Sequence, residues 1–86
     1  MWYYLVKYSF DADKPVTGPF NTYDDAWIAA LNDAQKEFNI DKNENDFDSD
    51  LIVYEDTGEI ILVNHFSDRD DTTEFIVFEL DSTKLM

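Results

Sequence analysis

Apolar residues recur at helical spacing in only one stretch of this chain, residues 22–39, whereas the other apolar runs are short and strand-like. One helix must therefore share its core with several strands, which restricts the fold to a helix laid on a sheet. Trp27, Leu31, Ala34 and Phe38 mark the buried side of that helix, with Tyr23, Ala26 and Ala30 beside them. Asp25, Asn32, Asp33, Lys36 and Glu37 line the opposite side. Thr22 is a good N-cap, and Asp25 three residues on resembles a capping box. Asp24 and Asp25 suit the positive end of the helix dipole, and the helix is expected to end near Asn39.

The strands are read from alternation and turn residues. Trp2, Tyr4, Val6, Tyr8 and Phe10 share one face of a first strand, and Tyr3, Leu5, Lys7 and Ser9 share the other. Residues 11–21 contain Pro15, Gly18 and Pro19 and read as a connection, with a short extended piece around Val16 to Phe20. Leu51–Tyr54, Ile60–Phe66 and Glu74–Leu80 are the remaining strands, and Gly58 supplies the turn of the hairpin between the first two. Residues 41–50 and 67–73 read as polar loops. The expected fold is α+β: a single domain, residues 1–86, of order β-α-β-β-β with its helix on an antiparallel sheet.

Twenty acidic residues against six basic ones give a formal charge of −14. A chain so charged stays unfolded unless it buries enough apolar surface. Here 44% of residues are hydrophobic and 16% aromatic, so a folded domain with an acidic exterior is expected. The charge is uneven. Residues 1–40 carry six acids and three bases, and residues 41–86 carry fourteen acids and three bases. In a meander, the segment entering the second strand and the segment leaving the third lie at the same end of the sheet. The first contains Asp41, Glu44, Asp46, Phe47, Asp48 and Asp50, with Lys42 as its base. The second contains Asp68, Asp70, Asp71 and Glu74, with Arg69. Together they place a net −7 at one end. Glu55, Asp56 and Glu59 form a smaller acidic patch at the other end.

One helix covers one sheet face, yet the strands carry apolar residues on both. Phe75 and Val77 oppose Ile76, Phe78 and Leu80, while Ile61 and Val63 oppose Ile60 and Leu62. Either residues 11–21 fold over the second face, or it is the surface of a homodimer or of another partner.

The candidate chemistry is sparse. There is no Cys, which excludes disulfides and thiolate ligands. Asp41-x-Asn43-x-Asn45 matches the start of an EF-hand loop, but Asp46 stands where Gly is required and Ile52 where Glu is required. The register beginning Asp46-x-Asp48-x-Asp50 fails likewise, at Leu51 and Thr57. A weak calcium site built from Asp68, Asp70 and Asp71 is the least favoured reading. His65 is the only histidine, is placed in a strand, and is expected to pair with a carboxylate across the sheet. No nucleophile elbow accompanies Ser9, Ser49, Ser67 or Ser82, and there is no Gly-rich phosphate loop. A non-enzymatic protein without cofactor or metal is expected. The N-terminus does not read as a signal peptide, and no apolar run is long enough to span a membrane, so a cytoplasmic location is expected. Direct contact with nucleic acid or an anionic membrane is disfavoured, because phosphates call for Lys and Arg.

The acidic runs Asp41-Lys-Asn-Glu-Asn-Asp-Phe-Asp-Ser-Asp50 and Asp68-Arg-Asp-Asp71, in a small Cys-free domain, resemble those of phage-encoded DNA-mimic inhibitors: anti-CRISPR proteins, anti-restriction proteins and uracil-DNA glycosylase inhibitors. The resemblance is one of size, charge and architecture, and the Glu-Ser-Ile strand motif of the glycosylase inhibitors has no clear counterpart here. It implies an inhibitor that occupies the basic groove of a nucleic-acid-binding protein, such as a CRISPR effector or another nuclease, in the host cytoplasm if the gene is carried by a phage. The expected contact residues are Glu44, Asp46, Asp48, Asp50, Asp68, Asp70, Asp71 and Glu74, with Phe47 as an apolar anchor and Tyr54 and Phe66 as further candidates. The alternative is an acidic interaction or self-associating module that uses the second sheet face.

Overall fold

A computed structural model describes residues 1–44 and 48–80, the side chains of 42–44 excepted. The elements are β1 (Trp2–Tyr8), β2 (Thr17–Phe20), α1 (Tyr23–Glu44), β3 (Asp48–Tyr54), β4 (Glu59–His65) and β5 (Asp70–Glu79). They form a five-stranded antiparallel sheet in the order β2-β1-β5-β4-β3, with α1 across one face. The α+β architecture is the one expected, with an added strand in the first connection.

That strand, β2, pairs with the edge of β1, with Phe20 opposite Trp2 and Thr17 opposite Tyr4. Its four residues include a Gly and a Pro, which leave no alternation to read. Gly18 has a φ of 147°, and a Cβ there would lie 2.6 Å from the Tyr3 ring. The strand therefore requires glycine both for its backbone and for the ring packed against it.

Helix α1 begins as its cap residues dictate: Thr22 Oγ1 accepts a hydrogen bond from the Asp25 amide at 3.1 Å. Ala26, Ala30 and Ala34 are fully buried and form the line of closest approach to the sheet. Trp27 packs beside them and stacks on Tyr23, whose ring meets Trp2 edge-on. The helix runs past the expected end at Asn39 to Glu44. No Gly or Pro intervenes to stop it, and Asp41 in the extra turn accepts a hydrogen bond from Asn64 Nδ2 at 3.0 Å. Asp33 and Glu37 are not on the solvent side of α1, as the periodicity suggested. Each accepts a hydrogen bond from a tyrosine of β1, Tyr4 at 3.1 Å and Tyr8 at 3.3 Å.

The segments read as loops 41–50 and 67–73 are largely regular structure. Asp41 and Glu44 belong to α1, Asp48 and Asp50 to β3, and Asp70 and Asp71 to β5. Aspartate is disfavoured in strands, which is why these residues read as loop. Backbone pairing with β4 carries them: Asp48 and Asp70 both stand opposite His65.

The core lies between α1 and the inner face of the sheet, built on Tyr4, Val6, Ile60, Leu62, Phe75 and Val77. The hairpin turn at the far end uses Gly58 at a φ of 73°, with its amide on the Glu55 carbonyl and its carbonyl on the Val77 amide. The outer sheet face carries Leu5, Ile61, Val63, Ile76 and Phe78, all half-buried, and Tyr3 stacks on Phe78. Residues 11–21 do not cover it. The Lys14 amide bonds the Val6 carbonyl, which sets this segment along the β1 edge, and Lys14 reaches toward α1.

Candidate functional site

The site grows from the ends of three neighbouring strands. β3 starts, β4 ends and β5 starts at the same edge, so Asp48, His65 and Asp70 form one row on the outer face. Asp50 lies one step inward on the same face, since alternate residues of a strand share a side. β3 and β5 do not touch, being separated by β4, and lie about 9–10 Å apart. The His65 ring spans that gap. Its Nε2 is 2.8 Å from Asp50 Oδ2, and its Nδ1 is 2.9 Å from Asp70 Oδ1.

A neutral imidazole donates from one nitrogen only, whereas the imidazolium donates from both. Contact with a carboxylate at each nitrogen thus matches the charged ring. Accordingly, the hydrogen bonds that the ring donates to Asp50 and then to Asp70 raise the His65 pKa above its usual value. The ring is 38% exposed and the two carboxylates 70% and 57%, so both acids still present oxygen atoms to solvent while the ring fixes their orientation. This is the pairing expected for the lone histidine, made to two acids rather than one.

The remaining contact candidates divide. Asp68 is exposed in the turn between β4 and β5. Glu74 is exposed on the outer face, four residues along β5 from Asp70 and so about 13 Å away. Asp71 does not belong with them: it points to the other face, is nearly covered, and takes a hydrogen bond from Arg69 Nε at 3.2 Å. The Arg69 guanidinium also lies over the Phe66 ring, 4.9 Å from its centre. Tyr54 is exposed at the opposite end of β3, beside Glu59, and is not near the acidic end. The side chain of Glu44, and Asp46 and Phe47 entirely, lie outside the described residues.

The second patch, Glu55, Asp56 and Glu59, sits at the turn end as expected. The Tyr23 hydroxyl donates to the Glu55 carbonyl and ties the turn to the start of α1. Burial raises the Tyr23 pKa, and the Glu55, Asp24 and Asp56 carboxylates add to the shift.

Sequence reasoning missed the Tyr4–Asp33 and Tyr8–Glu37 pairs and the ammonium beside them. Lys14 Nζ lies 3.1 Å from Glu37 Oε1 and 5.6 Å from the centre of the Tyr8 ring. The Tyr8 hydroxyl and the Glu37 carboxylate hold its pKa above the usual lysine value. The available signal was the tyrosines themselves: on an inner strand face, their hydroxyls need partners that only the helix can supply.

Among the described residues, no group of three or more His, Asp or Glu is arranged to hold a metal ion. Asp41 and Asn43 lie within α1, so they do not open an EF-hand loop. No helix among the described residues is long and apolar enough to cross a membrane. No family model, curated protein or solved structure matches the chain. The fold and site define a helix-on-sheet α+β domain with an acidic sheet end.

Proposed function

We propose that the protein is a non-enzymatic inhibitor that mimics nucleic acid and occupies the basic groove of a defence nuclease, such as a CRISPR effector. The observation that carries this reading is the His65 clamp, which holds Asp50 and Asp70 in fixed positions beside Asp48. Carboxylates on a sheet recur about 5 Å apart across strands and about 7 Å apart along them. DNA presents one charge per about 1.7 Å of axis, in two rows. A sheet end cannot copy that density over a whole duplex, but it can supply a short run of anions to a lysine- and arginine-lined channel. Orientation fixed before contact lowers the ordering cost of binding. The formal charge of −14 steers a basic partner from a distance.

The test is affinity capture of basic nucleases on the immobilised protein at low and high salt, followed by challenge with duplex DNA. The reading expects capture at low salt, release at high salt, and displacement by DNA. Capture that is indifferent to both overturns it.

The second reading, self-association, rests on the outer sheet face, where Leu5, Ile61, Val63, Ile76 and Phe78 form a half-buried apolar patch without cover among the described residues. It expects sedimentation at twice the chain mass at micromolar concentration, reverting to one on Ile76→Lys.

A further inference from the structure

The two edges of the sheet are unlike. β2 closes one edge with four residues that include Gly18 and Pro19, and its register against β1 shifts between Trp2 and Tyr4. A short strand, a proline and an irregular register are devices that keep a foreign strand from pairing. β3 forms the other edge and has none of them. It runs seven residues, Asp48–Tyr54, without Gly or Pro, and pairs with β4 in unbroken register from Asp48 opposite His65 to Tyr54 opposite Glu59. Its other side meets no strand among the described residues. Such an edge presents a row of backbone donors and acceptors to an extended chain.

The side chains of β3 say what that chain must carry. Asp48, Asp50, Ile52 and Tyr54 share the outer face, so the row is divided into two acids followed by two apolar side chains. Ile52, Val53 and Tyr54 are consecutive and all exposed. Ile52 stands opposite Ile61 of β4, so an apolar residue added beside it extends a row that already crosses two strands. Asp48 is exposed, and Asp50 remains largely so despite its contact with His65. A second copy of the chain is a poor occupant of this edge. Antiparallel self-pairing that sets Ile52 against Tyr54 also sets Asp50 against Asp56, and parallel self-pairing in register sets Asp48 against Asp48. Each copy would also bring a charge of −14.

We infer that the free edge of β3 takes an added antiparallel strand from a basic protein partner. On one face that strand carries two apolar residues, opposite Tyr54 and Ile52, and then two Lys or Arg residues, opposite Asp50 and Asp48. Backbone hydrogen bonds attach it, and the divided row of side chains sets its direction and register. The inference deepens the proposed function and rests on its basic partner, because it says how that partner holds the acidic end.

The test is a titration of the full chain with the end-blocked peptide Val-Thr-Ile-Thr-Lys-Thr-Lys, followed by the amide NMR shifts of residues 48–54. The reversed peptide, Lys-Thr-Lys-Thr-Ile-Thr-Val, has the same composition and charge. Saturable shifts are expected with the first, several-fold tighter than with the second. Equal affinities overturn the inference, since charge attraction alone ignores direction. Two further peptides carry N-methyl groups on alternate amides, one set each, and only one set faces β3. Loss of binding in one and retention in the other is expected, and equal behaviour of the two overturns the backbone pairing. Asp48→Lys, an exposed position, should weaken the first peptide several-fold, and a peptide ending in Glu should restore the loss. A folded Asp48→Lys that does neither overturns the register. Peptide binding without any nuclease capture retains the edge and defeats the proposed function. Nuclease capture at full strength by Ile52→Lys, with peptide binding lost, retains that function and overturns the inference.

Discussion

His65 Nε2 and Asp50 Oδ2 lie 2.8 Å apart across the β3–β4 pair, and the same ring reaches Asp70 of β5 with its other nitrogen. One histidine ring thus crosslinks three strands, and its protonation sets a positive charge among carboxylates that otherwise repel.

The sign of the pH dependence follows. The folded-state pKa of His65 is raised above the unfolded value of about 6.5. Its contribution is full below pH 6.5 or so and is lost as pH rises through the folded pKa. The melting temperature of the wild type should therefore fall across that window relative to His65→Gln. Melting curves of both proteins from about pH 6 to pH 9 check this, and parallel profiles would remove the clamp.

Replacing Tyr4 by Phe strips Asp33 of the hydroxyl it accepts from while leaving the core ring in place. A loss of about 1 kcal/mol in urea unfolding is expected, the typical net worth of one such bond.

Ala30 is fully buried where α1 meets the sheet. Ala30→Leu should cost about 1–3 kcal/mol or more by overpacking, whereas Ile28→Ala, at an exposed position on the same helix, should change stability by under about 0.5 kcal/mol. Denaturant midpoints distinguish the two.

Gly58→Ala forces a side chain onto a φ of 73° and brings its Cβ to 3.1 Å from the Val77 carbonyl oxygen. A destabilisation of about 1–3 kcal/mol is expected from the same measurement.

The legible parts of this molecule are those fixed by local chemistry. Thr22 announces the helix start, Gly58 the hairpin, and the alternation from Trp2 the first strand, although that strand ends at Tyr8 and leaves Phe10, read as part of its inner face, exposed beyond it. The acidic residues at the strand starts were not legible as strand. Asp48, Asp50, Asp70 and Asp71 have turn chemistry, and only pairing against β4 overrides it. Asp33 and Glu37 misled for a related reason, since a carboxylate at a helix margin reads as solvent-facing until a tyrosine from β1 arrives beside it. The gathering of acids at one end was legible, because a meander leaves no other arrangement; the alternation within strands then set Asp71 apart from Asp48, Asp50 and Asp70.

The central claim is that the acidic end is the contact surface. It is tested most directly by the affinity of the captured nuclease for Asp48→Lys/Asp68→Lys/Asp70→Lys, beside Ile61→Lys on the apolar face. Circular dichroism and melting establish that both variants are folded. The account expects the triple reversal to abolish binding and Ile61→Lys to leave it within a few-fold of wild type. A folded triple reversal that binds normally, with binding destroyed by Ile61→Lys, would contradict it and transfer the contact to the outer sheet face.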